Sequence, residues 1–360
     1  MEILLVLTFV TIDLFYFFVL FESLLIPMFL LIGGWGARTR KIKAAYYFFL
    51  YTFFGSLFML FGMIYLYQLT GSLNYYIVLA EIIDLKTQKF LWVCFFLAFA
   101  VKMPLFPLHI WLPEAHVEAP TVGSMLLASL LLKLGGYGLL RFSLTFLSSA
   151  SLFFTAAVAT LAIAGVIYGS LSTMRQIDMK RIIAYSSVAH MNLVALGIFS
   201  FNRIGIEGSI YLMVAHGVVS AALFFCVGVV YDRTHTRLLR YYGGLVTVMP
   251  LFASLFFIFN LANMGFPGTP NFIGELLLLA GVYKLAPTVV FPSANGIVFS
   301  AAYSTLLFAR VCFGTLKTDH ITAFKDVSRR EATILVGLLS AMGLLGLRTD
   351  IVFAYLESVV

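Results

Sequence analysis

Two short passages, Val101-Lys-Met-Pro-Leu-Phe-Pro and Gly265-Phe-Pro-Gly-Thr-Pro, interrupt apolar runs that are otherwise long enough to cross a bilayer. Each places two prolines three residues apart, at Pro104 and Pro107 and again at Pro267 and Pro270. Proline removes an amide donor and its ring clashes with the preceding turn, so each helix should break there. Exposed backbone is tolerated at membrane depth only where protein or a water-filled cavity surrounds it. Paired broken helices in two parts of one chain point to an inverted-repeat transport fold.

The rest of the 360 residues agrees with a life in lipid. Of these, 62% are hydrophobic and 11% charged, where an ordinary soluble domain carries ~25% charge. That composition excludes a water-soluble enzyme, a disordered chain, a nucleic-acid-binding domain and a disulfide scaffold. Cys94, Cys226 and Cys312 lie in separate apolar stretches without metal-ligand spacing, and read as small buried hydrophobes.

A crossing helix needs about 20 apolar residues for ~30 Å of hydrocarbon. Residues 1–34 are too long for one upright span, and Asp13 divides them into a short piece up to about Thr11 and a helix from about Leu14 to Gly34. Spans are expected at roughly 44–68, 89–107, 120–141, 151–174, 182–201, 208–230, 246–282, 288–312 and 332–350. The fold class is therefore an all-α polytopic membrane protein with about ten full spans plus a partial first one. The first piece reads as the end of a span that begins outside this chain. No basic region precedes the first apolar run, so it does not read as a removable signal.

Alternate loops differ in charge. One set carries Arg38, Arg40, Lys41, Lys43, Arg175, Lys180, Arg181, Arg233, Arg237, Arg240, Lys317, Lys325, Arg329 and Arg330; the other carries Lys86, Lys89, Arg141, Arg203, Lys284 and Arg348. The richer set should face the matrix or cytoplasm. Its residues read as solvated anchors, with anionic lipid head groups, cardiolipin among them, as the partner they would attract.

Few charges fall inside the spans, and an ionised side chain at the bilayer centre costs at least ~2.5–3.5 kcal/mol. Glu22 sits in Val19-Leu-Phe-Glu-Ser-Leu-Leu-Ile-Pro, Lys102 just before the first break, and Lys133 in Leu130-Leu-Leu-Lys-Leu-Gly-Gly. His190 and His216 lie on consecutive spans, and Glu275 follows the second break in Phe272-Ile-Gly-Glu-Leu-Leu. Glu22 and Lys102 could form a static ion pair. Alternatively, a lysine poised between desolvation and a nearby carboxylate can gain or lose a proton when its partner moves. Ser186, Ser187, Asn192 and Ser220 flank the histidines and suggest a polar path, for which histidine is suited. His109, Glu114, His116 and Glu118 could be read as metal ligands, but capping or loop packing suits their boundary position better.

Lys102-Met-Pro-Leu-Phe-Pro-Leu-His-Ile-Trp-Leu-Pro-Glu-Ala-His-Val-Glu-Ala-Pro-Thr is similar to the signature of the antiporter-like, proton-pumping subunits of respiratory complex I. Gly36 to Lys43, Arg175-Gln-Ile-Asp, Ala184-Tyr-Ser-Ser-Val-Ala-His-Met-Asn and Tyr241-Tyr-Gly-Gly-Leu fit the same family, so the resemblance runs from about Asp13 to Gly314. It implies two antiporter-like inverted five-helix repeats, here 1–145 and 146–315, followed by a C-terminal loop and last helix over 316–360. It implies a proton relay through Glu22, Lys102, Lys133, His190, His216 and Glu275. Glutamate at 275 stands where the sister subunits usually carry lysine.

The resemblance also implies a multi-pass subunit of NADH:ubiquinone reductase (H+-translocating) in the mitochondrial inner membrane, with a bacterial plasma membrane as the alternative. No cofactor or metal is expected on this chain; NADH, FMN, iron–sulfur clusters and ubiquinone belong to partner subunits, and no nucleic acid is involved. Neighbours would be the antiporter-like chains 2 and 5. Against the family's fourteen helices, the first three and half of the fourth have no counterpart here, and a separate polypeptide is expected to supply them. Two other readings stay open: a subunit of a multi-subunit cation/proton antiporter, and a structural membrane subunit that has lost pumping.

Overall fold

The computed structural model describes residues 1–317 and 325–356. The expected C-terminal region 316–360 therefore falls partly outside the described residues. Sixteen helices are used below. They are α1 (Glu2–Val10), α2 (Leu14–Trp35), α3 (Lys41–Thr70), α4 (Tyr75–Ala80), α5 (Leu85–Lys102), α6 (Trp111–Glu118), α7 (Thr121–Phe146) and α8 (Ser148–Arg175). They continue as α9 (Met179–Ile198), α10 (Arg203–Thr234), α11 (Leu245–Val248), α12 (Pro250–Asn263), α13 (Pro270–Leu285), α14 (Pro287–Cys312), α15 (Arg329–Leu347) and α16 (Asp350–Leu356).

Eight of these are long and apolar enough to cross a membrane: α2, α3, α7, α8, α9, α10, α14 and α15. The other two expected spans are the interrupted ones. Near the first break α5 stops at Lys102 and α6 resumes at Trp111; at the second, α12 stops at Asn263 and α13 resumes at Pro270. Each falls short of a continuous crossing because its prolines end the helix.

Polar residues placed between apolar runs start the helices. Asp13 accepts from the amides of Phe15 and Tyr16 and begins α2, Asp178 accepts from Lys180 N and begins α9, and Asn202 accepts from Gly205 N and begins α10. Within α2, Pro27 cannot donate to the Ser23 carbonyl, and the helix has a turn at Leu24, two residues beyond Glu22. The span α7 contains two π-helical segments, Leu127–Leu131 and Leu139–Ser143, on either side of Lys133.

Asp13 pairs in a single antiparallel bridge with Asn74, which follows α3; Asp178 pairs likewise with Leu238, which follows α10. Thus the cap of one span meets the loop beyond the next span, once in each half of the chain. Five crossings (α2, α3, α5–α6, α7, α8) separate the two caps, so they start on opposite faces of the membrane.

Two apolar cores hold the bundle. One gathers Phe17, Phe21, Phe99 and Phe142 with Leu and Val residues of α2 to α9; the other gathers Phe224, Phe256, Cys226 and Cys312 of α10 to α14. The innermost helices are α9 and α10, buried almost throughout, whereas α8, α14 and α15 turn mostly outward. Large apolar side chains such as Trp35, Ile82, Phe291 and Leu347 lie on the outside, as a lipid solvent requires.

Candidate functional site

The first break is held by side chains that replace the lost helical bonds. Trp111 Nε1 donates to Val101 O at 2.9 Å, and Asn192 Nδ2 on α9 donates to Pro104 O at 3.2 Å. Asn192 Oδ1 accepts from Phe106 N at 3.5 Å. A Cβ on Gly165 of α8 would stand 2.2 Å from Asn192 Oδ1, so glycine there makes room for the clamp. Gly135 of α7 has the same role beside Lys102: its Cβ would meet Met103 N and Phe99 O at 2.7 Å. The second break turns through Gly265 (φ 70°) and Gly268 (φ 90°). A Cβ on Gly265 would lie 2.5 Å from Glu275 Oε2, so the carboxylate of Glu275 packs directly on the broken backbone.

Four of the six predicted residues form one buried chain. Lys133 Nζ lies 2.9 Å from His216 Nδ1 and donates to Ala128 O at 2.5 Å. That carbonyl is five residues back, within the π-helical segment where the α-helical register is lost. The rings of His216 and His190 have centroids 5.4 Å apart. His190 Nδ1 is 3.2 Å from Glu275 Oε1, and its Nε2 is 3.4 Å from Tyr303 OH. All five side chains are buried. Tyr303 escaped sequence reading; a lone phenol in the apolar run of α14 was its only mark.

Glu22 and Lys102 form a second, looser pair. No ion pair joins them among the described residues, so of the two readings the static bridge is the one the structure does not form. Lys102 Nζ lies over the ring of Phe21 at 4.5 Å and that of Phe48 at 5.8 Å. Neither it nor Glu22 Oε1 has a hydrogen-bond partner in the protein. His216 Nε2, His190 Nδ1 and both carboxylate oxygens of Glu275 are in the same condition, the 3.2 Å approach of His190 to Glu275 being a charge contact rather than an aligned hydrogen bond. Buried polar atoms of this kind are costly unless something meets them.

Other expectations shift. The hydroxyls of Ser186 and Ser187 bond back to Ile183 O and that of Ser220 to Gly217 O, so these serines serve their own helices. Lys180 and Arg237 are buried rather than solvated anchors. Lys180 Nζ donates to Ala119 O at 2.8 Å and to Ser124 Oγ at 3.2 Å. Arg237, 1% exposed, donates to Val117 O and sits between Glu118 (3.7 Å) and Asp178 (3.6 Å). Glu114 pairs with Arg181 at 2.6 Å, and His116 stacks on Phe224 with centroids 4.6 Å apart. His109 packs against the rings of Phe106, Tyr168 and Tyr185, so the four residues that resembled metal ligands have separate contacts.

Residues 11–300 match the family described as NADH:quinone oxidoreductase/Mrp antiporter, TM. The chain is 54% identical over 342 residues to NADH-ubiquinone oxidoreductase chain 4 of Chondrus crispus, covering 94% of this chain and 69% of that one. It is 55% identical over 338 residues to the protein of the same name from Arabidopsis thaliana, covering 94% and 68%. Its structure is similar to a chain of respiratory complex I from Thermus thermophilus with bound NADH, at TM-score 0.89 and 33% identity over 95% of this chain and 73% of that one. A chain of the Mrp complex from Dietzia sp. DQ12-45-1b shares the fold at TM-score 0.86 and 20% identity, over 94% of this chain and 72% of that one. The chain therefore belongs to the NADH:quinone oxidoreductase/Mrp antiporter membrane family, and within it groups with the chain 4 subunits of NADH-ubiquinone oxidoreductase.

Proposed function

We propose that the chain is a proton-translocating membrane-arm subunit of respiratory complex I, seated in the mitochondrial inner membrane. The observation that carries this reading is the buried succession Lys133, His216, His190, Glu275, in which neighbouring titratable groups lie within or near hydrogen-bond reach. Four such groups on α7, α9, α10 and α13 have little structural purpose in an apolar bundle, where buried pairs are often no more stable than apolar ones. Histidine changes charge near physiological pH and passes a proton between its two nitrogens, so the two rings suit the middle of a relay. Lys102 would be the carrier at the first break and Glu22 the carboxylate that modulates it.

The pair Glu22 and Lys102 supplies the switch. At an effective dielectric constant of ~20, opposite charges ~5 Å apart attract by ~3.3 kcal/mol, and ~10 Å apart by ~1.7 kcal/mol. A movement of that size changes the lysine's proton affinity by about tenfold. No fixed bridge between the two has to be broken for such a movement. The driving energy would come from NADH oxidation and ubiquinone reduction, with FMN, iron–sulfur clusters and ubiquinone held by other subunits. Antiporter-like chains 2 and 5 would adjoin this one, and anionic lipid such as cardiolipin would meet the basic loops.

Two inverted repeats, 1–145 and 146–315, are the natural units of this device. The matching caps and bridges of Asp13 and Asp178 and the one broken helix in each half support the division. The test is the complex carrying Lys102→Ala, reconstituted in vesicles with its proton uptake measured during NADH oxidation. Loss of pumping supports the reading; undiminished pumping per electron returns the chain to a structural role.

A further inference from the structure

Asn271 stands in the first turn of α13, directly after Pro270, and is fully buried within this chain. Neither its carbonyl Oδ1 nor its amide Nδ2 has a partner in the protein. Burying an amide side chain unmet is costly, so an internal asparagine in this state marks a polar ligand. The start of α13 is uncapped as well. The Thr269 hydroxyl donates to Phe266 O at 2.7 Å and accepts from no first-turn amide.

Glu275 lies four residues on, so the two side chains share a helix face with Cβ atoms ~5–6 Å apart. That face, with Asn271, Gly274, Glu275 and Leu278, is the buried one. Side chains lean toward the start of their helix, and Glu275 does reach back: a Cβ on Gly265 would lie 2.5 Å from its Oε2. The other oxygen, Oε1, is turned to His190 Nδ1 at 3.2 Å. The carboxylate thus presents one oxygen to the relay and the other to the break that Asn271 adjoins.

We propose that Asn271 holds an ordered water against Glu275, and that the glutamate exchanges its proton through this water. The inference rests on Glu275 acting in the relay, as proposed above. A buried water makes about three hydrogen bonds; Asn271 Nδ2, Asn271 Oδ1 and Glu275 Oε2 supply one donor and two acceptors. A metal ion suits the place less. It asks for several anionic oxygens, whereas this face has one carboxylate, beside a histidine and the positive end of α13. Among the described residues no group of three or more His, Cys, Asp or Glu could hold one. In the step itself, the carboxylate takes a proton from protonated His190 and gives it to the water, which passes one to a further water and returns to neutral. Asn271 neither gains nor loses a proton; it is a positioning residue that fixes the acceptor.

The test uses the intact complex in sealed vesicles, with proton uptake per NADH oxidised as one readout and a map resolving waters as the other. Density for a water is expected within ~3.2 Å of both Asn271 and Glu275. Asn271→Leu keeps the bulk but cannot bind water, and pumping should fall roughly fivefold, the effect of losing one hydrogen bond at the limiting step. Asn271→Ser, whose hydroxyl both donates and accepts, should recover most of it, whereas a side chain that only filled space would be replaced better by leucine. Should Asn271→Leu fail to assemble, the map of the unaltered complex decides alone. Absence of density, a metal ion in its place, undiminished pumping in Asn271→Leu, or serine no better than leucine would each overturn the water site. Glu275→Gln judges the relay separately: full pumping there strikes the relay, while loss there with full pumping in Asn271→Leu strikes only the water.

Discussion

His190 Nδ1 and Glu275 Oε1 stand 3.2 Å apart, one on the innermost α9 and the other on α13, four residues after the pair Pro270-Asn271 closes the second break. The helix break and the carboxylate belong to one arrangement, since Glu275 Oε2 packs against the backbone at Gly265. A proton passed between His190 and Glu275 would therefore move beside the break, where the Glu275 carboxylate lies against the Gly265 backbone.

Removing the charge at that end should stop the relay without emptying the site. Glu275→Gln keeps the size and one carbonyl acceptor but no longer takes up a proton. Coupled proton transport by the reconstituted complex should fall to roughly a tenth or less, the equivalent of at least ~1.4 kcal/mol on the limiting step. Glu275→Asp should restore part of it. The measurement is proton uptake per NADH oxidised in sealed vesicles, compared with the rate in the presence of an uncoupler.

At the other end, Lys133→Met removes the ammonium bonded to His216 Nδ1 and to Ala128 O. Methionine fills much of the same space, so the complex should assemble while transport drops. Adding His216→Gln to Lys133→Met should cost little more than either change alone, because one hydrogen-bonded pair is being removed twice. A double-mutant cycle on vesicle proton uptake reads this directly, with additive losses counting against the connection.

The broken helices and the six titratable positions were legible because both violate what lipid demands: proline and charge in apolar runs need no partner to be noticed. The division of the first apolar run at Asp13 was legible for the same reason. The link from Lys133 to His216 was not, since it joins residues 83 apart in the chain and depends on how α7 packs on α10. Tyr303 carries no charge and looks like any interfacial aromatic in sequence. Lys180 and Arg237 misled, because loop position suggested solvent while folding enclosed them with Glu118, Asp178 and the carbonyls of residues 117 and 119. Asn192, read as part of a polar path, is committed to the broken backbone instead.

Arg237 gives the strongest stability prediction. Its guanidinium is enclosed between Glu118 and Asp178. Arg237→Met leaves both carboxylates buried without the guanidinium between them, and losing one partner of a buried pair costs ~3–5 kcal/mol. Arg237→Lys retains the charge but cannot span both acids and Val117 O together. The expected outcome is little or no assembled complex for Arg237→Met and a lower melting temperature for Arg237→Lys, followed by native gels and thermal unfolding of solubilised membranes.

The Asn192 clamp predicts a coupled pair of defects across two helices. Asn192→Ala leaves Pro104 O and Phe106 N without the amide that meets them, and an unsatisfied buried group costs ~1–3 kcal/mol. Gly165→Ala should do similar harm from α8 without touching the break, because its new Cβ would lie 2.2 Å from Asn192 Oδ1 and must push the side chain away. Once Asn192 is alanine the obstruction is gone. Gly165→Ala should then be nearly neutral, or slightly stabilising through its better helix propensity. Thermal unfolding of the complex with each single variant and the double variant tests the argument: a double variant as unstable as the sum of the singles would mean that Gly165 is required for some other contact.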